Sequence, residues 1–132
     1  MNGIRIALTH IGQGVFATQS FKAKESIGQV RGKTIYDPEY QSNYCIELGD
    51  DRVLEPIPPF RYLNHSCHPN CKLVTENDKI WINTIRPINP GDQLTIDYAW
   101  PAESAIPCAC GKKNCRGWIV DKKELKLLEK QK

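Results

Sequence analysis

The sequence predicts a mostly β domain, followed by a metal-binding segment and a short C-terminal helix. Three observations predict it. The first half of the 132 residues places β-branched and aromatic residues between glycine-containing turns, without helical periodicity. More such strands follow a loop at 57–71 that is too rich in proline and histidine for regular structure. Three cysteines then lie within eight residues, and only the last twelve residues have the composition of a helix.

The elements follow in chain order. Four strand candidates precede the loop: IRIALTH at 4–10, GVFATQSF at 14–21, ESIGQVRGKTI at 25–35 and NYCIELGD at 43–50. After the loop, CKLVTEN and KIWINTI flank Asn77-Asp78 as a hairpin, and an NPGD turn at 89–92 leads into QLTIDYAW. Asp121 is a candidate N-cap for the final helix, which carries Leu125 and Leu128 on one face.

Composition limits the class of protein. The length suits one domain, and 40% hydrophobic with 25% charged residues is ordinary for a globular chain. No apolar run is long enough to cross a bilayer, and the first residues lack the build of a secretion signal. We therefore expect an intracellular protein without a membrane partner, in which six cysteines favour metal binding over disulfides.

Charge is unevenly distributed. The net charge is +3, but residues 112–132 carry +5 and the remainder −2. The segment from Asp37 to Glu55 holds six acidic residues against Arg52 alone: Asp37, Glu39, Glu47, Asp50, Asp51 and Glu55. Such a segment would attract a basic partner rather than a phosphate backbone. The alternative is an ordinary solvated loop.

The cysteine cluster predicts a metal site. Cys108, Cys110 and Cys115 surround a glycine that lets the backbone bring three thiols together. Structural zinc takes four ligands, so a fourth must come from elsewhere in the chain. Cys67 and Cys71 are the candidates, and we favour Cys67 because it lies in the irregular loop. Cys45, in an alternating strand, is expected to be an ordinary core cysteine.

Three further features are ambiguous when each is taken alone. The amides and imidazoles of residues 64–70 must either bind a ligand or brace the backbone. Cys67 beside His65 and His68 could form a nucleophile pair, but such pairs are assembled in space, and this one competes with the metal for the thiol. Gly12-Gln13-Gly14 could be a simple turn, and Tyr98 an ordinary strand tyrosine.

In order, however, four motifs together resemble the SET-domain protein lysine methyltransferases: IGQGVFA at 11–17, RYLNHSCHPNC at 61–71, NPGDQLTIDYAW at 89–100 and CACGKKNCRGW at 108–118. The resemblance implies a SET fold of several small β-sheets in which the NHSC segment threads through a loop as a pseudoknot. It also implies a SET domain over 1–100, a post-SET zinc segment over 101–120 and a C-terminal basic helix over 121–132.

The resemblance further implies the activity and its residues. A methyl group would pass from S-adenosylmethionine to a lysine amine on a basic, histone-like protein. The implied cofactor-binding residues are Gly12, Gln13, Gly14, Tyr44, Arg61, Asn64, His65 and Trp118. Cys67, Cys108, Cys110 and Cys115 would hold one structural zinc. Tyr98 would be the catalytic tyrosine and would line the substrate channel with Ile96. Because a sulfonium methyl is already activated, the enzyme mainly aligns it with a neutral amine.

Two departures from the family pattern bear on the substrate channel. Val30-Arg31-Gly32-Lys33 stands where members commonly read YxGE, and Ile96 stands where Phe or Tyr commonly precedes the Asp-Tyr pair. We therefore expect a roomier channel that allows di- or trimethylation.

Two alternative functions stay open. One is a SET-fold scaffold without turnover. The other is a zinc-dependent module that contacts nucleic acid or protein through Lys112, Lys113 and Arg116. The module leaves Asn64, His65 and Tyr98 unexplained, so direct nucleic-acid binding is not expected. No oligomeric state is predicted.

Overall fold

The computed structural model describes residues 3–37, 39–40, 42, 44–98, 106–110, 112 and 115–125. Within them it contains twelve strands in four small sheets and two short 3₁₀ turns. The predicted mostly β architecture of several small sheets is confirmed.

The first sheet carries most of the predicted site. Strands β1 (Ile4–Thr9) and β2 (Gly12–Ala17) form an antiparallel hairpin, and β2 pairs with β10 (Gln93–Ile96). Strand β7 (Asn64–His65) pairs with β10 in parallel. Three predicted motifs that lie far apart in the chain are therefore neighbours in one sheet.

The other two large sheets have three strands each. One has the order β3 (Ser26–Val30), β9 (Lys79–Thr84), β8 (Cys71–Glu76); the other has the order β4 (Gly32–Ile35), β6 (Arg52–Pro56), β5 (Ile46–Gly49). The prediction of one strand over 25–35 is wrong, because the chain leaves one sheet at Val30 and enters another at Gly32. A Cβ at Gly32 would lie 2.1 Å from the Glu55 carbonyl oxygen, so this crossing requires glycine.

Tight turns fix the hairpins. Asn77 and Asp78 join β8 to β9 with φ values of 54° and 61°, the left-handed geometry of a two-residue turn that suits strand twist. This predicted hairpin is confirmed. Asp50 and Asp51 join β5 to β6 with φ values of 54° and 61°. In the predicted NPGD turn, Gly91 has a φ of 91°.

The hydrophobic core lies between the sheets. Its largest fully buried side chains come from β2, β9, β10 and the segment before β10: Val15, Ile80, Ile82, Ile88 and Leu94. Ile96 belongs to the same core and is 7% exposed. A first 3₁₀ turn, Phe60–Tyr62, leads from β6 into β7.

The C-terminal segment forms its own small hairpin. Strands β11 (Ile106–Pro107) and β12 (Trp118–Ile119) pair antiparallel, and a second 3₁₀ turn covers Lys122–Glu124. The Asp121 carboxylate caps this turn by accepting from the Lys123 N–H at 2.8 Å, as predicted. Residues 126–132 of the predicted helix, including Leu128, lie outside the described residues. Among the residues that are described, no helix is long and apolar enough to span a membrane.

Candidate functional site

Asn64 joins the predicted cofactor loop to the centre of the first sheet. Its side-chain amide donates to the Gln13 carbonyl at 3.0 Å and to Gln93 Oε1 at 2.9 Å. A Cβ at Gly14 would lie 2.7 Å from Gln93 Oε1 and 3.1 Å from Asn64 Nδ2. Gly14 therefore lets Asn64 pack closely against the hairpin, and Gly12-Gln13-Gly14 forms the start of β2 rather than an isolated turn.

The loop after β7 is braced by side chains. Asn70 donates to the Gln93 carbonyl at 2.8 Å and accepts from the Thr95 N–H at 2.9 Å. Arg86 donates to the His68 carbonyl at 2.8 Å, to the Pro69 carbonyl and to the His68 ring. These bonds hold the predicted NHSC segment beside β10. The threading of a pseudoknot stays a prediction.

Tyr98 lies just beyond the end of β10. Its hydroxyl donates to the Leu63 carbonyl, and its N–H donates to His65 Nδ1 at 3.1 Å. Burial, together with the nearby Tyr44 phenol, raises the pKa of Tyr98 to about 12. The hydroxyl is therefore protonated at neutral pH and acts as a hydrogen-bond donor.

His65 lies between Tyr98 and the cysteines. Because Nδ1 accepts from the Tyr98 N–H, Nε2 carries the proton, and it faces Cys67 Sγ at 3.4 Å. Burial lowers the pKa of the imidazole; Asp97 opposes this and Arg116 adds to it. Asp97 Oδ1 lies 3.7 Å from Nδ1, but with a neutral imidazole this proximity is not an ion pair.

The four predicted metal ligands converge. The Sγ atoms of Cys67, Cys108, Cys110 and Cys115 all lie within 4.8 Å of one another, and those of Cys67 and Cys108 are 3.9 Å apart. Four sulfurs at about 2.3 Å from one tetrahedral zinc would be about 3.8 Å apart. The donor set and its spacing therefore fit a structural zinc. The structure brings Cys67, and not Cys71, to this group.

The C-terminal hairpin presents the cluster. The Cys108 N–H donates to the Gly117 carbonyl at 3.0 Å, which closes the hairpin around the cysteines. The Arg116 N–H donates to Cys67 Sγ at 3.3 Å, as peptide groups do around metal thiolates. The pKa of the Cys110 thiol is lowered to about 7. Burial acts to raise it, but hydrogen bonds that stabilise the thiolate outweigh burial, the largest being those from the backbone of Cys67 and Lys112.

The two other cysteines lie apart from the cluster. Cys71 is 1% exposed within the core. Cys45 is half-buried and donates to the Ser42 carbonyl at 3.3 Å. It is therefore less enclosed than the core position predicted for it, because β5 begins only at Ile46.

A polar cavity of about 410 Å³ opens beside Asn64 and His65, and Ile11, Cys110 and Lys112 contribute to its walls. This volume lies within the range of small-molecule sites. Six other predicted cofactor-binding residues do not line the cavity: Gly12, Gln13, Gly14, Tyr44, Arg61 and Trp118. Trp118 is half-buried in β12.

Arg61 and Tyr44 form a separate contact. The Arg61 guanidinium lies 4.0 Å from the centre of the Tyr44 ring and 3.2 Å from the Glu55 carboxylate. Tyr44 is 42% exposed. The Tyr44 phenol also contributes to the raised pKa of Tyr98.

Sequence reasoning missed one central contact. Arg116 makes two hydrogen bonds to the Asp97 carboxylate, at 3.1 and 2.7 Å, and its side chain is 5% exposed. The residues are nineteen positions apart, and neither belongs to a charge pattern that would pair them. The only signal in the sequence is position: Arg116 follows the predicted ligand Cys115, and Asp97 precedes Tyr98.

These contacts weigh against two alternatives. Cys67 is 3% exposed, lies among three other thiols and accepts from His65, which leaves it poorly placed as a nucleophile. Arg116, buried against Asp97, is not available to a phosphate backbone. Lys112 lines the cavity, and Lys113 lies outside the described residues.

Comparison with known proteins gives consistent results. Residues 12–99 match the family model described as the SET domain. Histone-lysine N-methyltransferase 2D of Homo sapiens is 34% identical over 140 residues, which cover 89% of this chain and 2% of that protein. Histone-lysine N-methyltransferase SETD1B of Xenopus laevis is 34% identical over 137 residues, covering 88% of this chain and 7% of that protein. The chain thus spans a small part of the curated relatives that it matches.

A solved structure has a similar fold. A Plasmodium falciparum protein, provisionally described as a histone methyltransferase, superposes with a TM-score of 0.63 at 25% identity. The match covers 74% of this chain and 94% of that one.

Proposed function

Since the chain belongs to the SET-domain family, we propose that it is a protein-lysine N-methyltransferase that uses S-adenosylmethionine. One observation carries the proposal: a protonated Tyr98 hydroxyl is held just beyond β10 by the Leu63 carbonyl, and the Tyr98 N–H bonds His65, which lines a cavity of ligand size. The division into a SET domain over 1–100, a post-SET segment over 101–120 and a basic terminal helix over 121–132 belongs to the same proposal.

The cofactor would be held by the first sheet and the cysteine hairpin. The cavity beside Asn64 and His65 offers room for part of it, and the backbone of Gly12-Gln13-Gly14 and the Tyr44–Arg61 contact would hold the remainder. Trp118, in β12, would cover the adenine. When bound, S-adenosylmethionine supplies a methyl group already activated on a sulfonium.

Tyr98 would orient the acceptor amine. With its pKa raised to about 12, the phenol is almost entirely protonated at pH 7, so no phenolate is present to remove a proton from the amine. The lysine amine must therefore arrive neutral, which an apolar channel favours by lowering its pKa from about 10.4. Tyr98 positions the nitrogen lone pair, and the rate depends on that alignment.

Zinc would have a structural role. The four-cysteine cluster, with backbone N–H groups donating to two of its sulfurs, matches a closed structural site without an open ligand position. Cys67, Cys108, Cys110 and Cys115 would tie the C-terminal hairpin to the loop after β7. Zinc takes no part in methyl transfer itself.

The substrate would be a lysine in a basic, histone-like protein. The relatives reported above are named histone-lysine methyltransferases. In this chain the acidic Asp50-Asp51 turn at the tip of the β5–β6 hairpin offers a complementary charge. Ile96, smaller than the aromatic residue that is common there, would leave space for di- or trimethylation beside Tyr98.

Isothermal titration of zinc-loaded wild-type protein and Tyr98→Phe with S-adenosylmethionine tests the proposal, paired with methyl transfer to core histones. We expect micromolar binding, about −8 kcal/mol, by both proteins. Transfer by Tyr98→Phe should fall about 100-fold.

The outcomes separate the alternatives. If zinc-loaded wild-type protein does not bind S-adenosylmethionine, the proposal that it is a methyltransferase is contradicted. Cofactor binding without transfer by the wild type would favour the scaffold. Equal transfer by both proteins would remove Tyr98 from the mechanism.

A further inference from the structure

Two hydrogen-bonded paths run from the cysteine cluster to Asp97-Tyr98. The first starts at Cys115, whose neighbour Arg116 binds both carboxylate oxygens of Asp97. Such a bidentate pair fixes direction as well as distance. Arg116 also donates to the Val120 carbonyl at 2.6 Å, so its side chain ties the C-terminal segment to the residue before Tyr98.

The second path runs through the imidazole. His65 Nε2 faces Cys67 Sγ at 3.4 Å, and Nδ1 accepts from the Tyr98 N–H at 3.1 Å. The Arg116 N–H donates to the same sulfur of Cys67 at 3.3 Å. Both paths therefore meet at the cluster and end on adjacent residues.

The C-terminal hairpin cannot hold this arrangement by itself. Its strands β11 and β12 have two residues each, and so short a ribbon is not stable alone. Outside the cluster, its described contacts with the first sheet include a hydrogen bond from His10 to the Ala109 carbonyl at 2.9 Å and the Arg116 pair with Asp97. The order of the hairpin therefore depends on its cysteines together with the fully buried Val120.

We propose that Arg116 is a positioning residue for Tyr98: through Asp97 it couples the metal-dependent order of the C-terminal hairpin to the place of the reactive hydroxyl. The inference rests on the proposed function for the role of Tyr98, but the coupling itself is a structural property. A lysine at 116 would keep the charge but lose the two-point contact. The hydroxyl would then be held less firmly, and transfer would slow because it depends on alignment.

The test uses the full zinc-loaded chain and Arg116→Lys, with Arg52→Lys as the matched control. Arg52 forms a surface ion pair with Asp78 at 3.7 Å, on other sheets. Five quantities are measured: bound zinc, cofactor affinity, kcat and KM on core histones, and the Tyr98 amide resonance in ¹⁵N NMR before and after chelation.

We expect Arg116→Lys to retain one zinc and wild-type cofactor affinity. Its kcat should fall about tenfold with little change in KM, and its Tyr98 amide resonance should move part of the way towards the chelated position. Arg52→Lys should match the wild type in all five quantities. Asp97→Asn keeps the shape of the side chain but removes its charge, and it should show the same changes as Arg116→Lys. It replaces Arg116→Lys in the test if that variant does not fold.

A zinc-loaded Arg116→Lys with wild-type kcat and an unmoved Tyr98 amide would overturn the inference. A second result would also overturn it: Arg116→Lys loses zinc, and excess zinc restores both the metal content and the wild-type kcat. That result would mean that Arg116 acts only on metal binding. If the wild type shows no methyl transfer, the proposed function fails, and the amide resonance still decides the coupling: no shift on chelation overturns it.

Discussion

Tyr98 and His65 acquire their roles from their hydrogen-bond partners. A tyrosine near the end of a strand is unremarkable in sequence, but here its hydroxyl donates to Leu63 and its N–H to His65. Asn64, predicted to hold the cofactor, uses both side-chain N–H groups on Gln13 and Gln93. Its side chain therefore braces the predicted cofactor loop against β10.

The raised pKa of Tyr98 predicts a pH dependence of stability. The folded state favours the neutral phenol, so its contribution is complete below pH 10, the unfolded value, and is lost as pH rises through about 12. Denaturant midpoints should therefore fall more between these limits for wild-type protein than for Tyr98→Phe. Tyr36→Phe, at a 74% exposed position, is the control and should follow the wild type. Equal losses for wild type and Tyr98→Phe would contradict the assignment.

At the scale of elements, hairpins were the most predictable feature. Asn77-Asp78 and NPGD are local turn signals, and both turns form where predicted. The break at Gly32 was not predictable, because its cause is the Glu55 carbonyl on another strand. Tyr44 was expected at the start of a strand but precedes β5 by two residues. Elements set by contacts distant in sequence leave little trace in a single sequence.

The acidic β5–β6 turn carries a prediction on substrate binding. Changing Asp50 and Asp51 together to Asn removes two charges, while Asn tolerates their positive φ values and keeps the turn. KM for a basic lysine peptide should rise several-fold, with kcat unchanged, because the turn no longer attracts the peptide's positive charge. The measurement is made at low salt, since higher salt screens this attraction. Asp78→Asn, in the matched turn of the β8–β9 hairpin, is the control. An unchanged KM at low salt would mean that the acidic segment is an ordinary solvated loop without a role in substrate binding.

For the whole molecule, the site is assembled from both ends of the chain. The sequence motifs predicted four converging cysteines and a site around Asn64, His65 and Tyr98; the structure brings the four thiols together and makes those three residues neighbours. Their roles stay predictions. The pair of Arg116 with Asp97 could not be predicted, because only the folded chain brings them together. The same holds for the separation of Arg61 and Tyr44 from the cavity.

The cysteine cluster predicts one zinc per chain. Cys110→Ser should lose the metal and most methyl transfer, since a structural site needs all four ligands. Cys45→Ser, outside the cluster, should keep both. Metal content by atomic emission, with activity measured on the same samples, checks this. Full zinc in Cys110→Ser would contradict the four-cysteine site.

The most direct test of the central claim is transfer of an isotope-labelled methyl group from S-adenosylmethionine to core histones by the zinc-loaded chain, read by mass spectrometry. Label on lysine side chains with wild-type protein, and its near absence with Tyr98→Phe, is the predicted result. A wild-type protein that holds its zinc and binds the cofactor yet leaves every histone lysine unlabelled would contradict it.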